Sequence, residues 1–207
     1  MPKTIFTIGH STHPIDVFLE LLKEHEVTAV CDVRSSPYSQ FNPQFNREDL
    51  KFGLSECGIK YVFLGDELGA RSDDPACYLD GKVQYNILAE TEIFRSGLGR
   101  VCKGSEEYQV ALMCAEKDPI ECHRTILVSR ELEKLEFSIN HILSNGKIET
   151  HQEAIDRLRK LLKLDHEDLF VTDDEARDKA YDIQGDTIAY KRKDEKIESS
   201  ESQRTTQ

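Results

Sequence analysis

The residues best suited to catalysis lie in the stretch VALMCAEKDPIECHRTILVSREL, residues 110–132. Cys114 and Glu116 end an apolar run, which predicts a buried strand, and Cys122 and His123 stand where a helix is predicted to begin. Free backbone N–H groups at a helix start stabilise an anion and lower the pKa of a nearby thiol. The stretch therefore predicts either an activated thiolate at Cys122 or a site for an anionic substrate.

The same residues also permit a metal site, because thiolates and imidazoles are ligands for zinc and iron. Cys114, Cys122 and His123 supply three such ligands. His10, which follows an earlier apolar run, completes a tetrahedral set. The two cysteines lie eight residues apart, whereas the paired ligands of structural zinc sites are about two to four apart. A divalent metal ion is therefore the secondary interpretation, and Cys114 also fits a small core residue.

Further polar residues follow three other apolar runs. His10 comes directly after KTIFTIG, and Arg71 lies in the polar loop after IKYVFLG. Asp32 and Arg34 end the run VTAVCDVR. Because ligands collect at the carboxyl ends of the strands of a parallel sheet, we expect these residues to converge with residues 110–132. The alternative for Asp32 and Arg34 is that they pair with each other.

Two functions follow from these residues, and both stay open. The first is an enzyme, a hydrolase or group transferase acting on a phosphorylated or otherwise anionic substrate such as a nucleotide or a nucleic-acid end. The residues expected to hold the anion are Arg34, Arg71 and Arg124, with His10 at the same edge. The residues expected to act in catalysis are Cys122 with His123, as nucleophile or proton shuttle, and Asp32 or Glu116, as general base or acid. The alternative is a non-catalytic module that senses a nucleotide, a metal ion or a redox change.

The elements that must position these residues alternate along the chain. Strands are predicted at 3–9, 27–34, 59–65, 108–116 and 138–143, and helices at 15–26, 47–58, 83–102, 122–136 and 149–165. Strands that alternate with helices indicate parallel pairing with right-handed crossovers. The prediction is an α/β fold with three layers: a mostly parallel sheet of about five strands with helices on both faces.

Charge divides the chain into two parts. The net charge of the 207 residues is −12, and residues 165–207 hold 13 Asp or Glu against 7 Lys or Arg, which is half of that excess. Because apolar residues also become sparse there, residues 165–207 are predicted to form an acidic, polar and largely disordered C-terminal tail. Residues 1–164 are predicted to form a single α/β domain.

The composition also limits the partners and the compartment. A broad basic surface for nucleic acid is not expected, although a few focused donors could still bind one phosphate. No apolar run approaches the roughly 20 residues of a membrane span, and the start MPKTIFTIGH has no export signal. We therefore expect a cytoplasmic protein, without membrane association, whose six cysteines are reduced.

Five segments together resemble a known family. They are TIGHS at 7–11, DVRSSPYSQFNPQFN at 32–46, GIKYVFLGDELGAR at 58–71, CAEKDPIECHR at 114–124 and HIL at 141–143. In this order they are similar to the hallmark segments of the domain of unknown function family 488 (DUF 488), a group of uncharacterised microbial proteins. The resemblance covers residues 3–145 and implies an α/β fold with a polar pocket, to which Ser11, Asn42 and Asn46 would contribute substrate contacts. Ala70 stands where members commonly have a second glycine, and the resemblance implies no established substrate.

Overall fold

The computed structural model describes residues 3–164 and 172–192. Its strands are β1 (Thr4–Gly9), β2 (Ala29–Asp32), β3 (Lys60–Phe63), β4 (Tyr78–Leu79), β5 (Lys82–Val83), β6 (Val110–Cys114), β7 (Ser138–Ile142) and β8 (Ile148–Thr150). Its helices are α1 (Ile15–Glu24), α2 (Arg47–Glu56), α3 (Gly65–Leu68), α4 (Tyr85–Ala89), α5 (Glu92–Gly104), α6 (Arg130–Lys134), α7 (His151–Leu161) and α8 (Asp173–Ile188). Short 3-10 turns lie at Pro43–Phe45, Pro75–Cys77 and Pro119–Glu121, and a π-helical segment, Arg124–Ser129, precedes α6.

A mixed sheet of six strands forms the middle layer, in the order β3-β2-β6-β1-β7-β8. The first five strands of this order pair in parallel, and β8 pairs antiparallel with β7 at the edge. The predicted α/β fold with a mostly parallel sheet is therefore confirmed. The edge strand β8 was not predicted, because its three residues overlap the start of the predicted helix at 149–165.

Each face of the sheet carries its own apolar core, because successive residues of a strand point to opposite faces. On β6, Leu112 and Cys114 pack with buried residues of α5 and α6, whereas Ala111 and Met113 pack with buried residues of α1 and α2. Helices thus cover both faces, as the three-layer prediction requires. Cys114 ends β6 on the side of α5 and α6.

The predicted helix at 83–102 is divided in the structure. Residues 82–83 form β5, and α4 ends at Ala89. Thr91 then begins α5, since its side chain accepts a hydrogen bond from the backbone N–H of Phe94 at 3.2 Å. Gly97 lets α5 approach α3 closely, because a Cβ at this position would lie 2.7 Å from the Cβ of Glu67. The glycine that weakens the helical pattern therefore serves packing.

The structure corrects the prediction of a largely disordered tail for one part of residues 165–207. Residues 173–188 form helix α8, which a capping box between Thr172 and Glu175 begins. The buried residues of this helix are Ala176, Ala180, Tyr181 and Gly185. Three of these four residues are small, so the packed face of the helix does not stand out as apolar within an acidic sequence. Residues 165–171 and 193–207 lie outside the described part. No helix in the described residues is both long and apolar enough to cross a membrane.

Candidate functional site

The carboxyl ends of β1, β2 and β6 meet at one edge of the sheet. Gly9 on β1 lies opposite Cys114 on β6. Beyond the strands, the backbone N–H of His10 donates to Cys114 O at 2.9 Å, and the N–H of Val33 donates to Met113 O at 3.0 Å. The approach is so close that a Cβ at Gly9 would lie 1.9 Å from the carbonyl oxygen of Glu116. The polar residues that follow these strands are therefore adjacent in space.

Four side chains at this edge form a compact group, which we call the CECH cluster: Cys114, Glu116, Cys122 and His123. One ligand-type atom from each lies within 4.8 Å of the others. Cys122 Sγ contacts Glu116 Oε2 at 2.9 Å, and Cys114 Sγ lies 3.6 Å from His123 Nδ1. Both sulfurs and the imidazole are buried, whereas the side chain of Glu116 is exposed. The cluster thus has a buried inner side and one solvent-facing carboxylate.

The orientation of the His123 ring is set by the backbone. Its Nε2 lies 2.9 Å from the carbonyl oxygen of Val33. Because a carbonyl can only accept, Nε2 carries the hydrogen and donates it. Nδ1 then faces the two sulfurs, at 3.6 Å from Cys114 Sγ and 3.9 Å from Cys122 Sγ. In the neutral ring, Nδ1 carries a lone pair that is directed towards these two sulfurs.

Burial and neighbouring charges separate the pKa values in the cluster. Burial raises the pKa of the Cys114 thiol, and the adjacent Cys122 raises it further. Burial also opposes ionisation of Cys122, but the contact with Cys114 and the charge of Arg124 outweigh it and lower the pKa of Cys122. Partial burial and the charge of Cys122 raise the pKa of Glu116. Burial works against the charged form of His123, yet the contact with Cys122 raises its pKa. These shifts favour ionisation of Cys122 over that of Cys114.

Arg124 is fully buried and anchors the loop that carries the cluster. Its Nη1 donates to Glu116 O at 2.8 Å, and its Nη2 lies 3.5 Å from Lys117 O. Its Nε lies 3.4 Å from Thr7 Oγ1 on β1. The backbone N–H of Arg124 also points at Cys122 Sγ, 3.5 Å away. In this structure the guanidinium therefore contacts loop and strand atoms.

Asp32 and Arg34 form a buried bidentate ion pair, which is one of the two alternatives raised for them. Arg34 Nε donates to Asp32 Oδ1 at 2.9 Å, and Arg34 Nη2 donates to Asp32 Oδ2 at 2.7 Å. Nη2 also donates to the carbonyl oxygen of Phe45 at 2.9 Å. The hydroxyl of Tyr61 donates to Asp32 Oδ2 at 2.8 Å. This pair lies beside the cluster and ties the end of β2 to the following loop.

His10 is held by the same pair and does not belong to the CECH cluster. Its Nδ1 donates to Ser11 O at 2.9 Å, so its Nε2 accepts from Arg34 Nη1 at 3.1 Å. The ring stacks on Phe45, with centroids 4.3 Å apart. Burial, followed by the charge of Arg34, lowers the pKa of His10 to about 4. Both nitrogens are thus engaged, and the fourth member of the potential ligand set is Glu116.

Two of the clefts at this edge of the sheet border the CECH cluster and His10. One, which we call the cluster cleft, has a volume of about 290 Å³, and its walls include Arg34, Arg71, Tyr85, Cys114, Glu116, His123 and Tyr190. The other, the His10 cleft, has a volume of about 420 Å³, and its walls include His10, Ser11, Tyr38, Ser39 and Asn42. Arg34, Ser36 and Ala115 line both clefts. Cys122 is 1 % exposed and is not among the residues that line the cluster cleft.

The remaining predicted contacts have different surroundings. Arg71 is exposed at the rim of the cluster cleft, and its guanidinium lies over the ring of Tyr190, 4.4 Å from the centroid. Asn42 and Ser11 line the His10 cleft. Asn46 Oδ1 accepts a hydrogen bond from the backbone N–H of Ser39 at 2.8 Å, so this amide holds the loop.

Tyr190 lines the cluster cleft although sequence reasoning placed it in a disordered tail. The backbone N–H of Val83 donates to Tyr190 O at 3.0 Å, and the N–H of Arg192 donates to Gly81 O at 2.8 Å. The segment after α8 therefore lies along β5. A single tyrosine among charged residues carries no signal that could have identified this contact.

Sequence reasoning also missed a chain of buried polar groups behind the cluster. Thr7 Oγ1 and His141 Nδ1 lie 2.7 Å apart, His141 Nε2 and His151 Nδ1 3.1 Å, and His151 Nε2 and the hydroxyl of Tyr181 2.7 Å. His141 is therefore part of an internal network, and this network links β1, β7 and α7 to α8.

The comparisons with known proteins support a family membership. The family model described as Domain of unknown function DUF488 matches residues 14–130, more than half of the 207 residues. The matched range contains the whole CECH cluster, while His10, Ser11 and His141 lie outside it. No curated protein and no solved structure gives a significant match.

Proposed function

Since the chain belongs to the DUF488 family, whose description assigns no activity, we propose from its site that it is a hydrolase or group-transfer enzyme acting on a small anionic substrate. The observation that carries the proposal is the position of the CECH cluster. Three of its members, Cys114, Glu116 and His123, line a cleft that also has an exposed arginine at its rim. Reactive side chains and an anion-binding group thus face the same small volume.

Glu116 is the residue best placed to move a proton. Its carboxylate is the exposed member of the cluster, it lines the cleft, and its Oε2 lies 2.9 Å from Cys122 Sγ. From this position one carboxyl group can reach both a bound substrate and the buried sulfur. A general acid or base needs this kind of reach before its pKa matters.

Arg71 is the arginine best placed to hold the anion. Arg34 is engaged by Asp32, and Arg124 by the carbonyl of Glu116. Among residues 3–164 and 172–192, no carboxylate lies within 4.0 Å of the Arg71 guanidinium nitrogens. The ring of Tyr190 holds the Arg71 guanidinium beside the cleft. The N–H groups of this guanidinium can still donate to the oxygen atoms of an anion. The volume of about 290 Å³ suits a small molecule such as a mononucleotide or a phosphate ester.

A second function, a redox- or metal-sensing module without turnover, is favoured by one observation. Cys114 and Cys122 are both buried, and their sulfurs lie within 4.8 Å of each other. Two thiols this close can form a disulfide when an oxidant is present, if their Cβ geometry permits it. Such a module would bind its ligand or change its redox state without releasing a product.

The test is a panel of phosphate esters, nucleoside phosphates and cyclic nucleotides, assayed for product and for thermal stabilisation of the protein. For a compound that is turned over, we expect Glu116→Gln to lower kcat by about 10²- to 10⁴-fold, the usual contribution of a general acid or base. Arg71→Met is expected to raise KM by about 10- to 100-fold, the contribution of a charge-assisted hydrogen bond. The matched control is Arg95→Met, since Arg95 is exposed and pairs with Glu90.

Two outcomes contradict the enzyme. Stabilisation by one compound without product, in the wild type and with the cysteines reduced, would favour the sensing module. If no compound of the panel gives a product or stabilises the protein, the proposed class of anionic substrates is contradicted.

A further inference from the structure

We propose that the CECH cluster binds one divalent transition-metal ion, for which Zn²⁺ is the best fit. Two thiolates, one imidazole and one carboxylate form a mixed donor set that zinc accepts in four-coordinate sites. This proposal deepens the proposed function by naming its cofactor. Metal binding itself does not depend on the protein being an enzyme.

Two sulfur-to-nitrogen distances within the cluster are already close to those of a tetrahedral site. With Zn–S bonds of about 2.3 Å and Zn–N bonds of about 2.0 Å, neighbouring ligand atoms lie roughly 3.3–3.8 Å apart. Cys114 Sγ is 3.6 Å from His123 Nδ1, and Cys122 Sγ is 3.9 Å from the same atom. Glu116 Oε2, at 2.9 Å from Cys122 Sγ, has to move outward by less than about 1 Å to reach this range. Because its side chain is exposed, it can make that adjustment.

The groups around the cluster are arranged as in a metal site. Ligating histidines donate their second ring N–H to a carbonyl or carboxylate, which fixes the ring and the tautomer. His123 does this through Nε2 to Val33 O at 2.9 Å, and its Nδ1 faces the sulfurs. The backbone N–H of Arg124 lies 3.5 Å from Cys122 Sγ, where it can stabilise a thiolate. Its guanidinium fixes the loop through Glu116 O at 2.8 Å.

Charge also favours a cation at this position. Cys114 and Cys122 are only 3 % and 1 % exposed. Burying two thiolates without a counter-charge costs more free energy than hydrogen bonds from the neighbouring groups recover. A divalent cation between them removes this cost, because it deprotonates and neutralises both.

The ligand set differs from the set expected from the sequence, in which His10 was the fourth member. Both ring nitrogens of His10 are engaged, with Ser11 O and with Arg34. Glu116 takes its place and is the one exposed ligand of the four. Three buried ligands and one exchangeable carboxylate leave a coordination position that a water molecule or substrate can reach, as in catalytic zinc sites. The role of this position in turnover is the part that rests on the proposed function.

The experiment is a titration of the reduced, chelator-treated full chain with Co²⁺, which replaces zinc and absorbs light. We expect one equivalent of Co²⁺ to saturate a thiolate-to-cobalt charge-transfer band together with visible bands of tetrahedral cobalt, and Zn²⁺ to displace it. Cys114→Ser and Cys122→Ser are each expected to remove about half of the charge-transfer intensity. Each should weaken binding by at least about 100-fold, the upper end of the loss found when a ligand's hydrogen-bond partner is removed.

Three further variants make the result specific. Glu116→Gln, a change at an exposed side chain, should keep both thiolates and thus the charge-transfer band, but bind Co²⁺ more weakly. His10→Gln should leave the bands unchanged. Cys57→Ser is the matched cysteine control, since Cys57 follows α2 at the opposite edge of the sheet, before β3. Circular dichroism establishes that each variant is folded.

Several outcomes overturn the metal site: no saturable band in the folded wild type, an unchanged band in folded Cys122→Ser, or a band lost in folded His10→Gln. Should the cysteine variants fail to fold, an unchanged Co²⁺ affinity in Glu116→Gln would equally contradict the ligand set. Metal binding without turnover of any compound leaves the metal site standing and contradicts the enzyme. Turnover by the metal-free protein would support the enzyme and contradict a role of the metal in turnover.

Discussion

At the scale of single residues, the charged groups of this site depend on fixed partners. Asp32 is fully buried and holds the guanidinium of Arg34 by two hydrogen bonds, at 2.9 and 2.7 Å. Removing one member of a buried ion pair leaves the other charge without compensation, which costs about 3–5 kcal/mol. We therefore expect Asp32→Asn to lower the free energy of unfolding by that amount in urea denaturation. Glu90→Gln, which breaks an exposed pair with Arg95, should change it by less than about 0.5 kcal/mol. A loss below about 1 kcal/mol in Asp32→Asn would mean that the pair is solvated.

The candidate site could be predicted from the sequence only up to the identity of its reactive residues. Cys114, Glu116, Cys122 and His123 were expected together because they follow a strand and begin a helix, and the structure brings them within 4.8 Å. The pairing of Arg34 with Asp32 was one of two alternatives, whereas the engagement of Arg124 could not be predicted. The carbonyl acceptor of Arg124, Glu116 O, is an ordinary backbone atom, and only the fold places it there.

At the scale of secondary structure, apolar runs located the five parallel strands, of which β2 and β6 are buried along their whole length. Elements whose burial depends on small residues escaped the same reasoning, and α8 is the main case. Its packed face consists of Ala176, Ala180, Tyr181 and Gly185 within an acidic sequence. A hydrophobicity pattern cannot detect alanine and glycine contacts of this kind, since these residues also occur on exposed surfaces.

The docking of α8 can be tested through Ala180, which is fully buried. Ala180→Asp places a charge in that contact, so we expect α8 to detach while the sheet stays folded. Hydrogen exchange should then show loss of protection over residues 173–188, with protection retained in β1, β6 and β7. The matched control is Lys179→Asp, at an exposed neighbouring position of the same helix. Equal protection of α8 in both variants would show that the helix does not depend on this face.

At the scale of the whole molecule, the buried histidine chain makes stability depend on pH. Burial, followed by the charge of Arg177, lowers the pKa of His151 from 6.5 to about 3, and burial, followed by His151, lowers the pKa of His141. Between pH 6.5 and about 3, the unfolded chain therefore binds a proton at His151 that the folded chain does not bind. Stability from these groups is complete above pH 6.5 and is lost as the pH falls. For His151 alone the loss at pH 5 is about 2 kcal/mol, since each pH unit below 6.5 costs about 1.4 kcal/mol.

The measurement is urea denaturation at intervals from pH 7 to pH 4.5. His151→Phe removes one proton-binding group, so its slope of unfolding free energy against pH below 6.5 should be smaller than that of the wild type by about 1.4 kcal/mol per pH unit. Tyr181→Phe removes only the hydroxyl that contacts His151 Nε2 at 2.7 Å. This variant should lose about 1–3 kcal/mol at every pH and keep the wild-type slope, because both histidines stay buried. Equal slopes in His151→Phe and in the wild type would mean that His151 takes up its proton in the folded protein.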